Sequence, residues 1–246
     1  MGEAFRRAIA AGISPRGVEA LRDILPECGY ALADATQDGP AGLRLLEALQ
    51  PELAVVGAAM PGMDGMAFVR RARALRLDIQ PAIVLLRPQG MGLPGESTLG
   101  ALGAAVIDQP PGAEALVRAL EGLREWRRTL PPDRAERLEA LLDAVGVPRH
   151  PGRDCLIRAI TCVWHDRRRV RGLKKGLYPD IARQTGLTPA QVERAMRHAI
   201  EVAWRTGEIE QQHRIFGDTI DARRGKPTCG EMIAQLAEEL RWEGRQ

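Results

Sequence analysis

Residues 178–207 read YPDIARQTGLTPAQVERAMRHAIEVAWRTG. Ala182, Gly186 and Val192 have the spacing of two helices meeting at a tight turn. Ala182 lets the helices approach closely, Gly186 accepts the positive φ that the turn demands, and Val192 fills the angle between them. Thr188 and Pro189 form an N-cap and a first helical position, so a second helix starts there. At about 100° per residue from Gln191, the apolar Val192, Ala195, Met196, Ala199, Ile200, Val202, Ala203 and Trp204 share an arc of roughly 20° to 220°. Gln191, Arg194, Arg197, His198, Glu201 and Arg205 occupy the other side. One face suits a protein core, and the other offers donors suited to guanine, adenine and phosphate. The pattern predicts a helix-turn-helix whose second helix reads DNA, against the plainer reading of a solvated face. Thr188-x-x-Gln191 is also a capping box, which competes for the Gln191 side chain.

The charge distribution agrees with that prediction. Val145 to Gln246 holds 19 Lys and Arg against 13 Asp and Glu, while the first 144 residues hold 16 against 19. Attraction to nucleic acid follows the local field, so a net +6 around the helix-turn-helix says more than the total of +3. The basic residues are densest at Arg167, Arg168, Arg169, Arg171, Lys174 and Lys175, which read equally as a phosphate clamp or a solvated loop.

A chain of 246 residues with 45% hydrophobic content supports two cores. No apolar run reaches the length of a membrane span, and MGEAFRRAIAAGIS lacks the apolar region of a secretory signal. Arg6 stands where a myristoylation motif needs Ser or Thr. The expected location is cytoplasmic. Cys28, Cys155, Cys162 and Cys229 show no paired CxxC spacing, and Cys155, Cys162 and His165 lack a fourth ligand. His150, His165, His198 and His213 accompany no nucleophile. The sequence therefore indicates no metal, no cofactor and no enzyme chemistry.

The N-terminal half alternates strands and helices. Helices are predicted over Gly17 to Leu25, Ala41 to Leu49, Ala67 to Leu75 and Glu114 to Arg127. Strands are predicted over Tyr30 to Ala33, Leu53 to Gly57, Ala82 to Leu86 and Ala104 to Ile107, after a first strand that ends before Gly12. Strands separated by helices of that size imply a parallel sheet covered on both faces. RPQGMGLPGES, after the fourth strand, reads as a loop replacing an ordered helix. RRTLPPDR, from Arg127 to Arg134, suits a semi-rigid linker. Beyond it, helices are expected over Ala135 to Ala144, Arg153 to Trp164, Pro179 to Gln184, Pro189 to Arg205 and Gly230 to Trp242, making the second domain all-α.

Longer strings carry two resemblances. GVPRH at 146–150, LYPDIA at 177–182, VERAMRHAIEVAW at 192–204, FGDT at 216–219 and GKPTCGEMIAQLAEELR at 225–241 resemble the effector domain of the stage-zero sporulation regulator family. These are the response-regulator transcription factors of endospore-forming bacteria. PELAVVGAAMPGMDGMAFVRRAR, from Pro51 to Arg73, resembles the third strand and following loop of a receiver domain, and Pro110 falls where receivers often carry a proline after their last strand.

The implied architecture is a flavodoxin-like α/β receiver domain over 1–128, a linker over 129–134 and a helix-turn-helix effector over 135–246. Phosphoryl transfer from a phosphohistidine needs a carboxylate nucleophile and a Mg²⁺ held by acidic neighbours. Aligned on MPGMDG, the phosphoacceptor position is Gly57, the acidic pair falls near Gly12 and Ile13, the hydroxyl residue is Arg87 and the lysine is Gln109. The remaining carboxylate, Asp64, reads as a turn residue. Arg87 reads either as a cation reaching toward the acceptor position or as a surface residue at a strand end.

The receiver-like domain is thus expected to be a scaffold or an interaction surface that does not accept phosphate. On the effector, Arg194 is the expected base contact, with Gln191 and His198 on the same face and Arg197 nearer a phosphate. Glu193 either orients Arg197 or accepts from cytosine. Lys226 matches a basic position in the family's final loop and is a candidate backbone contact. The resemblance implies double-stranded DNA carrying a promoter box as partner, RNA polymerase with its sigma factor, and homodimers or heterodimers formed through the receiver-like domain. The alternative is a non-activating partner or antagonist of a phosphorylated response regulator.

Overall fold

A computed structural model of the chain describes residues 5–217, 220 and 224–241. Two compact units, Met1–Arg127 and Arg128–Gln246, divide it.

The first unit runs β1 (Arg6–Ala11), α1 (Pro15–Ile24), β2 (Tyr30–Thr36), α2 (Gly39–Leu49) and β3 (Leu53–Gly57). A two-residue ribbon follows, β4 (Ala59–Met60) against β5 (Met63–Asp64), and then α3 (Gly65–Ala74), β6 (Ala82–Arg87), β7 (Ala104–Asp108) and α4 (Ala113–Trp126). The five longer strands form a parallel sheet in the order β2-β1-β3-β6-β7. That is the doubly wound flavodoxin-like order.

All five residues of β3 are buried, which explains its uninterrupted apolar sequence. Leu21 and Leu25, with Leu116, Leu120 and Leu123 of α4, cover one sheet face against Ala8, Ala10, Val55 and Val84. Leu46 of α2 and Phe68, Val69 and Ala72 of α3 cover the other against Ile9, Ala54, Val56 and Ile83. Ser14, Asp38 and Asp64 each N-cap the following helix by accepting a backbone N–H. Between β6 and β7 the only helical piece is a 3₁₀ turn at Glu96–Thr98, in keeping with the glycines and prolines there.

The second unit contains α5 (Pro132–Val145), α6 (Pro151–His165), α7 (Tyr178–Thr185), α8 (Pro189–Thr206), α9 (Ile209–Phe216) and α10 (Cys229–Arg241). Short 3₁₀ and π turns carry the chain through Arg167–Gly172 and Leu173–Leu177. The stretch 129–134 is not wholly a linker. Helix α5 begins at Pro132 because proline at the first helical position brings its φ already set and has no N–H to leave unpaired.

Leu138, Leu142, Leu156, Ile160, Ile181, Val192, Met196, Ile200, Phe216, Met232 and Leu236 build one all-helical core. Helix α6 meets α8 closely at Gly152, where an added Cβ would lie 2.2 Å from the Ala195 carbonyl oxygen. Helix α9 was not expected from the sequence. It is anchored by a polar residue, the buried Gln212, whose Nε2 donates to the carbonyls of Val145 at 3.1 Å and Ala203 at 2.8 Å. No helix among the described residues is long and apolar enough to cross a membrane.

Candidate nucleic-acid interface and acceptor position

Helix α7 ends at Gly186, which adopts φ +72°, and α8 starts three residues later at Pro189. Val192 is fully buried and Ala182 is 6% exposed, so both occupy the interhelical angle. The capping box forms: Thr188 Oγ1 accepts from the Gln191 N–H at 3.3 Å, and Gln191 Oε1 accepts from the Thr188 N–H at 2.8 Å. The Gln191 carbonyl is therefore held at the helix start, and only its amide group is left to face outward.

The polarity of α8 follows its helical wheel. Val192, Met196, Ala199, Ile200 and Ala203 are buried, while Gln191, Arg194, Arg197, His198 and Glu201 are exposed. Arg194 makes no hydrogen bond or ion pair among the described residues, so its five donors project from the exposed face unengaged. Arg197 donates to Glu193 Oε1 at 2.6 Å, one helical turn earlier, and Lys174 approaches the same oxygen at 3.8 Å. Glu193 is half-buried and holds Arg197 against the helix. The His198 ring packs edge-on against His150 with centroids 5.6 Å apart, and His150 Nδ1 in turn accepts the Gly152 N–H at the start of α6.

Lys226 comes to the same face. Its Nζ donates to Glu201 Oε1 at 2.8 Å, and this ammonium holds the Glu201 carboxyl below its ordinary value. The adjoining Thr228 and Glu231 cap α10 reciprocally, Thr228 N–H donating to Glu231 Oε2 at 2.7 Å and Glu231 N–H to Thr228 Oγ1 at 3.2 Å. A cavity of about 420 Å³ lies beside the exposed face, with Glu193, Arg197, Glu201, Lys226, Tyr178 and Cys229 in its walls. Burial raises both the Tyr178 hydroxyl and the Cys229 thiol above their ordinary values, so both remain protonated near neutrality.

The basic run ahead of the motif is largely engaged with carboxylates of its own unit. Arg167 pairs with Glu238, Arg168 with Asp166 at 2.9 Å, and Arg169 with Asp180. Arg171 and Lys175 are exposed without such a partner among the described residues. Glu201 is the residue of this face that the sequence places there without a role. Its relation to Lys226 spans 25 positions, and no local pattern announces it.

In the first unit, Gly57 ends β3 where the chain of β1 turns into α1. A Cβ on Gly57 would lie 2.2 Å from the carbonyl oxygen of Gly12. Gly12 itself has φ +67°, and a Cβ there would meet the Met60 Cβ at 2.5 Å. Position 57, expected from the sequence to align with a receiver's acceptor, thus lacks the space for any side chain as well as a carboxylate. A cavity of about 650 Å³ beside it is walled by Ile13, Ser14, Ala58, Leu86, Gln109 and Pro110 among others, none of them acidic.

Arg87 is turned to other partners, donating to Asp108 Oδ1 and Glu96 Oε2, both at 2.7 Å. Its guanidinium therefore ties the strand end to the following loop, and the reading as a cation for the acceptor position is set aside. Asp64 Oδ1 accepts the Ala67 N–H at 2.7 Å, the role of a helix cap. No group of three or more His, Cys, Asp or Glu that could hold a metal ion occurs among the described residues, and the four cysteines are free thiols.

Comparison with known proteins places these features in context. Residues 138–240 match the family described as "Sporulation initiation factor Spo0A C terminal". Solved structures similar to the chain include the signal receiver domain of the response regulator NarL from Mycobacterium tuberculosis, 22% identical with a TM-score of 0.42, covering 50% of this chain and 98% of that one. A CheY-like receiver domain from Methylobacillus flagellatus is 18% identical with a TM-score of 0.43, covering 48% and 98%. Another, from Methanospirillum hungatei, is 23% identical with a TM-score of 0.41, covering 50% and 96%.

Proposed function

We propose that this response-regulator transcription factor, whose C-terminal unit belongs to the sporulation initiation factor Spo0A C-terminal family, binds promoter DNA sequence-specifically without aspartyl phosphorylation. The observation that carries the reading is the α8 surface. A capped helix behind a glycine turn presents an unengaged arginine, Arg194, at the centre of an exposed polar face, and a buried apolar face holds it rigid. Such a helix lies in the major groove, where a guanidinium donates two hydrogen bonds to guanine O6 and N7. His198 and the Gln191 amide flank Arg194. Arg197, steadied by Glu193, meets the sugar-phosphate edge, where contacts position the protein without reading sequence, and Lys226 stands beside that edge.

Independence from phosphate is supported by the same absence at several positions. Gly57 offers no nucleophile and no space for one, and the adjoining cavity has no carboxylate to bind Mg²⁺. By family resemblance the partners are a short sporulation-type promoter box and RNA polymerase with its sigma factor. Homodimers or heterodimers form through the receiver-like unit, and the site of action is the cytoplasm. The closed acceptor position also favours a second reading, in which the chain occupies such boxes as an antagonist of a phosphorylated regulator.

Footprinting with the unphosphorylated full-length chain tests the proposal. Protection of a discrete box, unchanged after incubation with acetyl phosphate, is the expected result. Protection that requires the phosphodonor, or none over a wide concentration range, refutes it. Transcription from the protected promoter, raised in one case and blocked against a phosphorylated regulator in the other, separates activator from antagonist.

A further inference from the structure

On the wheel of α8, Glu201 falls at roughly 280°, between Arg197 at about 240° and Arg194 at about 300°. It is a carboxylate in the middle of the surface assigned to a polyanion, with its side chain 45% exposed. A bare carboxylate there would repel the phosphates of any duplex, specific or not. Lys226 removes that charge, bringing its Nζ to 2.8 Å from Glu201 Oε1 with 42% of its own side chain exposed.

Resting on the DNA-binding reading above, we propose that Lys226 serves chiefly as the counter-ion of Glu201, and that the pair sets overall affinity for DNA instead of supplying an independent phosphate contact. The ammonium has three donors, and one is committed to Glu201. While the pair holds, the two residues add no net charge to the face. Lys226 then displaces less than the full counterion that a free lysine displaces from DNA. Glu193 repeats the arrangement on the other flank with Arg197 and Lys174. In that case the carboxylate is half-buried and two cations share it, so Glu201–Lys226 is the balanced pair.

The test is a double-mutant cycle on the full-length chain, measuring equilibrium binding to a duplex carrying the footprinted box and to a scrambled duplex. Glu201→Gln is expected to tighten binding to both duplexes by about two- to fivefold, the range of an exposed ion pair. It should also steepen the dependence of log affinity on log salt by about 0.9, because Lys226 is released to a phosphate. Lys226→Ala alone leaves Glu201 facing the duplex and should weaken binding about tenfold or more. Combined with Glu201→Gln, the same alanine substitution should return affinity to within about twofold of the parent. Thermal unfolding of each variant checks that the fold is retained, as expected for two half-exposed side chains.

Equal losses from Lys226→Ala in both backgrounds would overturn the pairing role and make Lys226 an ordinary phosphate contact. Weaker binding by Glu201→Gln would overturn it too, since Glu201 would then be positioning Lys226 for DNA. A parent chain that binds neither duplex refutes the DNA reading itself, and the role of the pair with it.

Discussion

Placing an aspartate at Gly57 tests whether this position, proposed to align with a phosphoacceptor, is sterically closed to a side chain. In the structure the Cβ of any residue there would sit 2.2 Å from the Gly12 carbonyl oxygen. A carbon and an oxygen normally approach no closer than about 3.2 Å, so one backbone segment must move by about 1 Å. Gly12 has little room to retreat, since Met60 lies 2.5 Å from where its own Cβ would be, and Gly57 is held in register against Leu86. Overpacking of this kind costs about 1–3 kcal/mol, and Gly57→Ala should show that amount. Gly57→Asp adds a carboxylate that must give up water at a buried strand end, for about 1–3 kcal/mol more. Each kcal/mol corresponds to a fall in melting temperature of roughly 2–8 °C for a unit of this size. The assay is calorimetric unfolding of parent, Gly57→Ala and Gly57→Asp, with mass spectrometry after incubation with acetyl phosphate and Mg²⁺. The expected outcome is a stepwise loss of stability and no phosphorylated adduct. A Gly57→Asp chain as stable as the parent that takes up one phosphoryl group would refute the steric argument.

Three further outcomes are expected. Arg194→Ala should lose about 1–3 kcal/mol on the cognate box and relax preference at one base pair, whereas Arg197→Ala should weaken all duplexes alike and reduce the salt slope by about one; binding assays across single-base variants would distinguish them. Glu231 is held below its ordinary value of 4.5, first by the Thr228 N–H and also by Arg224. Because its folded value lies below its unfolded one, its contribution to stability is complete above about pH 4.5 and is lost as pH falls through the folded value; Glu231→Gln should make the loss of denaturant stability with falling pH shallower than the parent's across that acid range. Gln212→Leu removes the side-chain donor to two carbonyls; Ala203 keeps the Gly207 N–H at 2.7 Å, so the loss falls on Val145 and should cost about 1–3 kcal/mol, read from urea unfolding.

Much of the fold was legible because its signals are local. The α8 surface needed only the 3.6-residue period, a Thr-Pro start and a glycine turn, each acting within a few positions. The parallel sheet was legible in apolar runs such as LAVVG, since strands covered on both faces leave no polar side. The proposal that position 57 accepts no phosphate was open to the same local reading, because a nucleophile is a property of one residue. Helix α9 was not legible, as it is only eight residues long, with Ile215 and Phe216 its buried apolar residues and the polar Gln212 the third buried one. Tertiary structure alone decided that position 57 is closed to a side chain, which depends on the approach of two backbone segments 45 residues apart, Gly12 and Gly57. It likewise decided that Arg87 turns to Asp108 and Glu96, that Arg167 and Arg169 are spent on Glu238 and Asp180, and that Lys226 meets Glu201. The sequence shows how many charges a surface carries, but which of them neutralise one another depends on distances of a few ångströms between side chains that only packing brings together.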